Sequence, residues 1–441
     1  MTLATARGEK YSADFEALTR SRPVPEWMAE LRQRGWEHFD SIGFPTARRG
    51  NELWKYTNLA ALGDGAFVFQ QGDPGNVSIE ELRQRAPWSD DWSTLVFIDG
   101  RYSETLSQIA PDAGVEISNL GDAGDNGSVR DHLARHAPAD ESAFTALNTA
   151  FLADGGYVRI PDNHEAASPI QLLFMITPGA SRATYPRTLV IAGANSRAEV
   201  IESYVSLGDE SGFTSPVAEY VLDSGAGIEH YRVLVENEES FHIGTTRVYQ
   251  SDNSTFNSVS FALGPKIGRN DIHTMLDAPG AECTLNGLYL TTNDQHMDNH
   301  ISTTHAKPHG TSHQFYKGVL SGNSRAVFSG RVLVEKDAQK TQAYQKDLNL
   351  VLSHGAEIDT KPSLEIYADD VQCAHGATAG HTDPEALFYM QARGIDEKTA
   401  QAMLMRGFAA EIVDDIGVQV LQDYVHDVTE KTIPSLQAAA D

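Results

Sequence analysis

Apolar positions change their spacing twice along the chain. Up to about Gly156, helical and strand-like stretches mix. Over 26–40, Trp27, Met28, Leu31, Trp36 and Phe39 recur at helical spacing behind Pro25, and Gly43 and Pro45 end the run. The apolar run 95–98 before the turn pair Asp99-Gly100 predicts a buried strand. Over 141–154 the spacing is helical again, with Phe144, Leu147, Phe151 and Leu152 on one side and Gly155-Gly156 as the stop. Beyond Tyr157 the pattern is of another kind. Short β-branched runs recur as far as Thr378, among them 171–176, 188–191, 228–235 and 327–334, each bounded by Gly, Pro, Asn or Asp. No convincing helix interrupts them. A mainly β core of this length leaves a large sandwich, a barrel or a β-helical solenoid.

A small internal echo bears on that choice. Gly193-Ala194-Asn195, Gly225-Ala226-Gly227, Gly280-Ala281-Glu282 and Gly355-Ala356-Glu357 each read as a corner that opens a strand. Their glycine intervals are 32, 55 and 75 residues, so no fixed repeat emerges, and hairpin turns explain them as well as solenoid corners do. After the β stretch, Thr382-Asp383-Pro384-Glu385 reads as a capping box with proline in the first turn. Its helix is predicted over 385–393, ending at Gly394. Asp396 caps a second helix carrying Ala402, Met403 and Leu404. Phe408, Ile412, Ile416, Val420 and Val425 continue an apolar face at helical spacing. The predicted organisation is a mixed N-terminal domain over 1–156, an all-β core over 157–378 and a helical C-terminal domain over 379–441.

Composition narrows the function classes. The 441 residues carry a net charge of −27, a field that repels nucleic acid and anionic lipid. No run approaches a membrane span, and the polar start from Met1 to Tyr11 does not read as a signal peptide. A cytoplasmic protein is expected. Two cysteines, Cys283 and Cys373, leave room for one bridge at most, and a reducing compartment fits them better. No P-loop, G-x-S-x-G or C-x-x-C string occurs, which argues against ATP hydrolysis, an α/β-hydrolase or a zinc ribbon in this chain.

Two constellations remain. Cys373-Ala374-His375 is predicted to close a last strand over 364–375, where alternation puts thiol and imidazole on one face, with Gly376 turning the chain near a rim. Both groups are good iron ligands. Against this stands an ordinary buried cysteine beside a hydrogen-bonded histidine. The second constellation is the histidine-rich stretch from His296 to His313, with His300, His305 and His309 between and His273 before it. Intervals of four there suggest a metal-dependent enzyme on an all-β core as the alternative function, although no H-E-x-x-H occurs.

Longer strings carry more weight than either pair. They run His309-Gly310-Thr311-Ser312-His313-Gln314-Phe315-Tyr316-Lys317-Gly318, then Val327-Phe328-Ser329-Gly330-Arg331 and Ala338-Gln339-Lys340-Thr341-Gln342-Ala343. Leu364-Glu365-Ile366-Tyr367-Ala368-Asp369-Asp370-Val371, Cys373-Ala374-His375-Gly376-Ala377-Thr378 and Arg393-Gly394-Ile395 follow in order. Together with Glu52-Leu53-Trp54-Lys55-Tyr56-Thr57 they resemble the SufB/SufD family of iron–sulfur assembly proteins. SufB-like chains carry Glu-His-Glu-Ala where this one has Cys373-Ala374-His375-Gly376-Ala377, and a cysteine one strand upstream where this one has Leu352-Ser353-His354-Gly355. The resemblance is therefore to the SufD type.

The resemblance implies a right-handed parallel β-helix flanked by helical domains. It implies no enzyme activity in this chain but a scaffold role, with a SufB-like subunit and a SufC-like ABC-type ATPase as partners. A transient iron–sulfur cluster would form where two β-helical subunits meet, with His375, and Cys373 beside it, as this chain's donors. The C-terminal helices, through Leu387, Phe388, Tyr389, Arg393, Gly394 and Phe408, would dock the ATPase. Such clusters take about four protein ligands. Two cysteines cannot supply them, so no cluster is expected to stay on the chain alone. Without partners, an exposed solenoid edge would invite a homodimer.

Overall fold

The computed structural model describes residues 5–47, 51–65, 67–69, 77–112, 114–179 and 181–440; residues 1–4 of the polar start lie outside it. Its centre is a parallel β-solenoid. Successive strands alternate between two sheets, of twelve and ten strands among the described residues. Within the stack, strands pair in parallel with those of the coil below and the coil above, as Thr311–Leu320 does with Glu282–Thr291 and Gln342–Val351, while Arg101–Tyr102 and Glu116–Asn119 pair antiparallel at its start. The mainly β class and the parallel solenoid are thus present, in about eight turns.

Period-two alternation builds the interior. Along His296–His305, Met297 and Ile301 enter the lumen while His296 and His300 face outward. Stacked over many coils, such rows make one continuous core from Leu95 to Phe328, including Val158, Leu172, Val200, Tyr220, Phe256 and Leu285. Each fully buried side chain of this size contributes roughly 1.5–3 kcal/mol.

Corners repeat too. One row of corner residues runs Asn195, Gly225, Asn253, Gly280, His309 and Lys340, all at positive φ. Each amide donates to the next coil, Asn195 to Ser224, Gly225 to Asp252, Gly280 to Pro308 and His309 to Gln339. Strands of the ten-stranded sheet begin at Arg197, Gly227, Thr255, Glu282, Thr311, Gln342 and Gln372, a spacing of 27–31 residues. A repeat does exist. Its corner glycine is replaced by Asn, His or Lys in four of these six corners, and Gly355 belongs to a corner that feeds the other sheet, which hides the period.

Helices cover both outer faces. Glu26–Ile42 packs on Ala143–Ala150 so closely that a Cβ on Gly35 would lie 2.7 Å from the Ala150 nitrogen. On the ten-stranded sheet, Met405, Ala409 and Ile412 of Glu397–Val413, with Leu421, Val425 and Leu436 of Gln419–Ala440, bury Tyr231, Val233, Phe261, Leu288 and Val319.

Several predicted details move. The cap of Pro384–Gln391 is Asp383, one residue later than expected, its carboxylate accepting from the Glu385 amide at 2.9 Å. The apolar face expected to run unbroken to Val425 is interrupted after Val413, and Val420 is exposed. The predicted strand over 364–375 is two strands, Glu357–Ile366 and Gln372–Gly380, on opposite sheets. Its apolar character continues through the corner because Ala368 and Val371 pack there with Val332, Val334 and Ala338.

Candidate functional site

Glu357–Ile366 and Gln372–Gly380 form the last coil. Each pairs with a strand on one side only among the described residues, and the solenoid ends there without a helix across it. Cys373 and His375 lie near the start of Gln372–Gly380, not at its end, and Gly376 is a strand residue rather than a turn. In register, Cys373 sits over Ala343 and His375 over Gln345. Ala343 and Gln345 are buried, so alternation puts the thiol and the imidazole on the lumen-facing side of the open end. Cys373 packs against the cluster of Val334, Ala343 and Leu364. It is half-buried, and burial pushes its thiol up from the ordinary range. His375 is exposed. The two side chains are neighbours at the mouth, a thiol and an imidazole with no third His, Cys, Asp or Glu grouped with them among the described residues.

Beneath them the lumen is polar. Gln345 Nε2 donates to Gln314 Oε1 at 2.9 Å, and Gln314 Nε2 to Thr303 Oγ1 at 3.0 Å. Asp347 is wholly buried and one of its oxygens accepts from Asn349 Nδ2 at 2.8 Å. Burial raises its carboxyl to about 6, against the opposing pull of Thr360 and Asn349. Sequence reading passed over these groups. In Gln342–Val351, inward Ala343, Gln345 and Asp347 alternate with Tyr344 and Lys346, and that string shows no apolar row to reveal which set points inside.

Cys283 lies in the core, its Sγ 3.8 Å from Thr303 Oγ1, with burial pushing the thiol up to about 12. It shares the column of Ser312, Ala343 and Cys373 but three coils away, so the two thiols remain free.

The histidine-rich stretch does not converge. His296 meets Thr57 Oγ1 at 3.0 Å, and His300 meets Asp298 at 3.1 Å, on the outer face. His305 bonds Ser312 in the interior at 2.8 Å, His309 is a corner residue and His313 stacks on Tyr344. Among the described residues no group of three or more His, Cys, Asp or Glu could hold a metal ion. The alternative of an enzyme built on His296–His313 loses its site.

Near the C-terminus, Pro384–Gln391 has no buried residue. Phe388 and Tyr389 are 72% and 59% exposed, Leu387 is half-buried, and Arg393 covers the Tyr389 ring at 3.4 Å. Gly394 takes φ 85° in the following turn. Phe408 is turned to the solenoid, its ring 4.3 Å from Lys317 Nζ and its carbonyl accepting from that amine at 2.8 Å. Among the described residues no helix is long and apolar enough to cross a membrane.

Comparison with known proteins adds an independent line. A family model described as "SUF system FeS cluster assembly, SufBD core domain" matches residues 174–408, and one described as "SufBD protein N-terminal region" matches 9–172. The chain is similar to the "Iron-sulfur cluster assembly protein SufD" of Escherichia coli, 33% identical with 87% of this chain and 88% of that one covered. An "Iron-sulfur cluster assembly SufBD family protein" of Synechocystis is 32% identical, covering 90% and 89%. The "Iron-sulfur cluster assembly protein SufB" of Bacillus subtilis is 21% identical, covering 92% and 89%.

Proposed function

Because this chain belongs to the SufB/SufD family of iron–sulfur cluster assembly proteins, as a SufD-type member, we propose that it is a scaffold subunit and not a catalyst. It works with a SufB-like subunit and a SufC-like ATPase in the cytoplasm, and the nascent cluster forms between the two β-helical chains. The observation that carries this is the juxtaposition of Cys373 and His375 on the lumen side of an open last coil. Two donors cannot close an iron–sulfur cluster, which takes about four. The exposed strand edge beside them suits pairing with a second chain, which would bring the rest. The same shortage favours release, since neither chain alone would hold the product.

The division at 1–156, 157–378 and 379–441 serves this reading. The helical C-terminal domain, with Phe388 and Tyr389 outermost, is the proposed dock for the ATPase. Nucleotide-driven movement there would reach the solenoid through Lys317, whose amine holds the Phe408 carbonyl and Glu411.

The test is to co-purify the chain with its partners, as wild type and as His375→Ala, and to reconstitute the cluster. We expect the complex to assemble in both and cluster yield to fall at least several-fold in the variant. Full yield from His375→Ala would remove the histidine from the site.

A further inference from the structure

Three polar atoms under the mouth have no hydrogen-bond partner although they are buried: Gln345 Oε1, one Asp347 oxygen (Oδ1) and Thr360 Oγ1. Gln345 and Asp347 lie on one lumen-facing row, one coil below His375 and Ala377. Thr360 faces the row from the opposite strand of the last coil. It stands near enough to favour the ionised Asp347 but completes no bond of ordinary geometry.

Gln345 is held in place. Its nitrogen is committed downward to Gln314, and across the lumen Gly330 leaves the room, since a Cβ there would stand 2.9 Å from Gln345 Nε2. The amide oxygen is thereby left facing no donor. Asp347 accepts one hydrogen bond, from the neutral Asn349, and has the neutral Thr360 nearby. A buried carboxyl and an unpaired carbonyl oxygen on one row would each be satisfied by a positive partner, a proton or a cation.

We propose that Gln345 and Asp347 are the floor of a binding site for a single divalent cation of the iron(II) class, completed from above by His375. This rests on the reading that the mouth is where the cluster is built, and it assigns the metal's entry point within it. Carboxylate and amide oxygens with one imidazole suit manganese, iron and cobalt in the divalent state. The set is short of a full coordination sphere, so the ion is held weakly, with positions left for sulfide and the partner's ligands.

Cobalt(II) is the probe, added to the isolated full chain with magnesium in excess to occupy surface carboxylates, and followed by visible absorption. Wild type should take up one equivalent. Asp347→Asn keeps shape and volume and should weaken binding ten-fold or more, Gln345→Leu several-fold, with circular dichroism confirming native folding. Should Asp347→Asn not fold, Gln345→Leu decides by the same criterion. Affinity within two-fold of wild type in the folded variant, or no uptake by wild type, overturns the proposal. The reading of His375 as part of the cluster site fails separately, on undiminished cluster yield from His375→Ala in the complex.

Discussion

Cys283 and Cys373 are the same side chain in two environments, three coils apart in one column. Cys283 is 2% exposed with its thiol pushed up to about 12, whereas Cys373 is half-buried at the open end. The native chain should therefore react with a thiol reagent at Cys373 only, Cys283 following on unfolding. Two fast thiols in the native protein would contradict the lumenal position of Cys283. His305 gives a pH signature. Burial holds its imidazole down from 6.5 to about 4. Between those values the unfolded chain takes up a proton that the native chain does not, so stability falls as pH drops from 6.5 towards 4. The loss is on the order of 3 kcal/mol at most from this one residue. Urea unfolding at pH 7, 5.5 and 4.5 should show a shallower slope for His305→Asn. An unchanged slope would mean that His305 is charged in the fold. Sequence reading singled out Cys373 and His375 but not what lies under them. Cys373 and His375 stand out by residue type, while Gln345 and Asp347 gain meaning only once coil is stacked on coil.

At the scale of elements, the legible parts were those with their own punctuation. The helix expected over 26–40 and the strands expected over 171–176 and 228–235 appear within two residues of their limits, as Glu26–Ile42, Ile170–Ile176 and Gly227–Val235. What failed was the join over 364–375, where Ala368 and Val371 continue an apolar run through a corner. Cα geometry at corners is a tertiary property, and apolarity alone does not mark it. The C-terminal helices offer a direct check. Leu421 is wholly buried against the ten-stranded sheet, and Leu421→Ala should cost about 2–5 kcal/mol of stability, read by chemical denaturation. A loss below about 0.5 kcal/mol would mean that the helix pair does not stay docked in solution.

For the whole molecule, the decisive asymmetry is between the two ends of the solenoid. The first coils lie under the N-terminal helices, and the last coil pairs with strands below it but with none above among the described residues. Isolated chain should self-associate through that edge, and lysine in place of exposed Ala379 should shift sedimentation towards monomer. Amide exchange should be fastest in residues 372–380 and slow sharply in the assembled complex. Uniform exchange across the strands would remove the asymmetry. A rung paired on one side only gives the mouth a geometry that a stacked neighbour would complete. Were the proposed ion bound there, whatever stiffens that rung would tighten its grip, and by reciprocity the ion would tighten the junction. Loading and assembly would then be two readings of one equilibrium, with the lone subunit holding its ion more weakly than the assembled one.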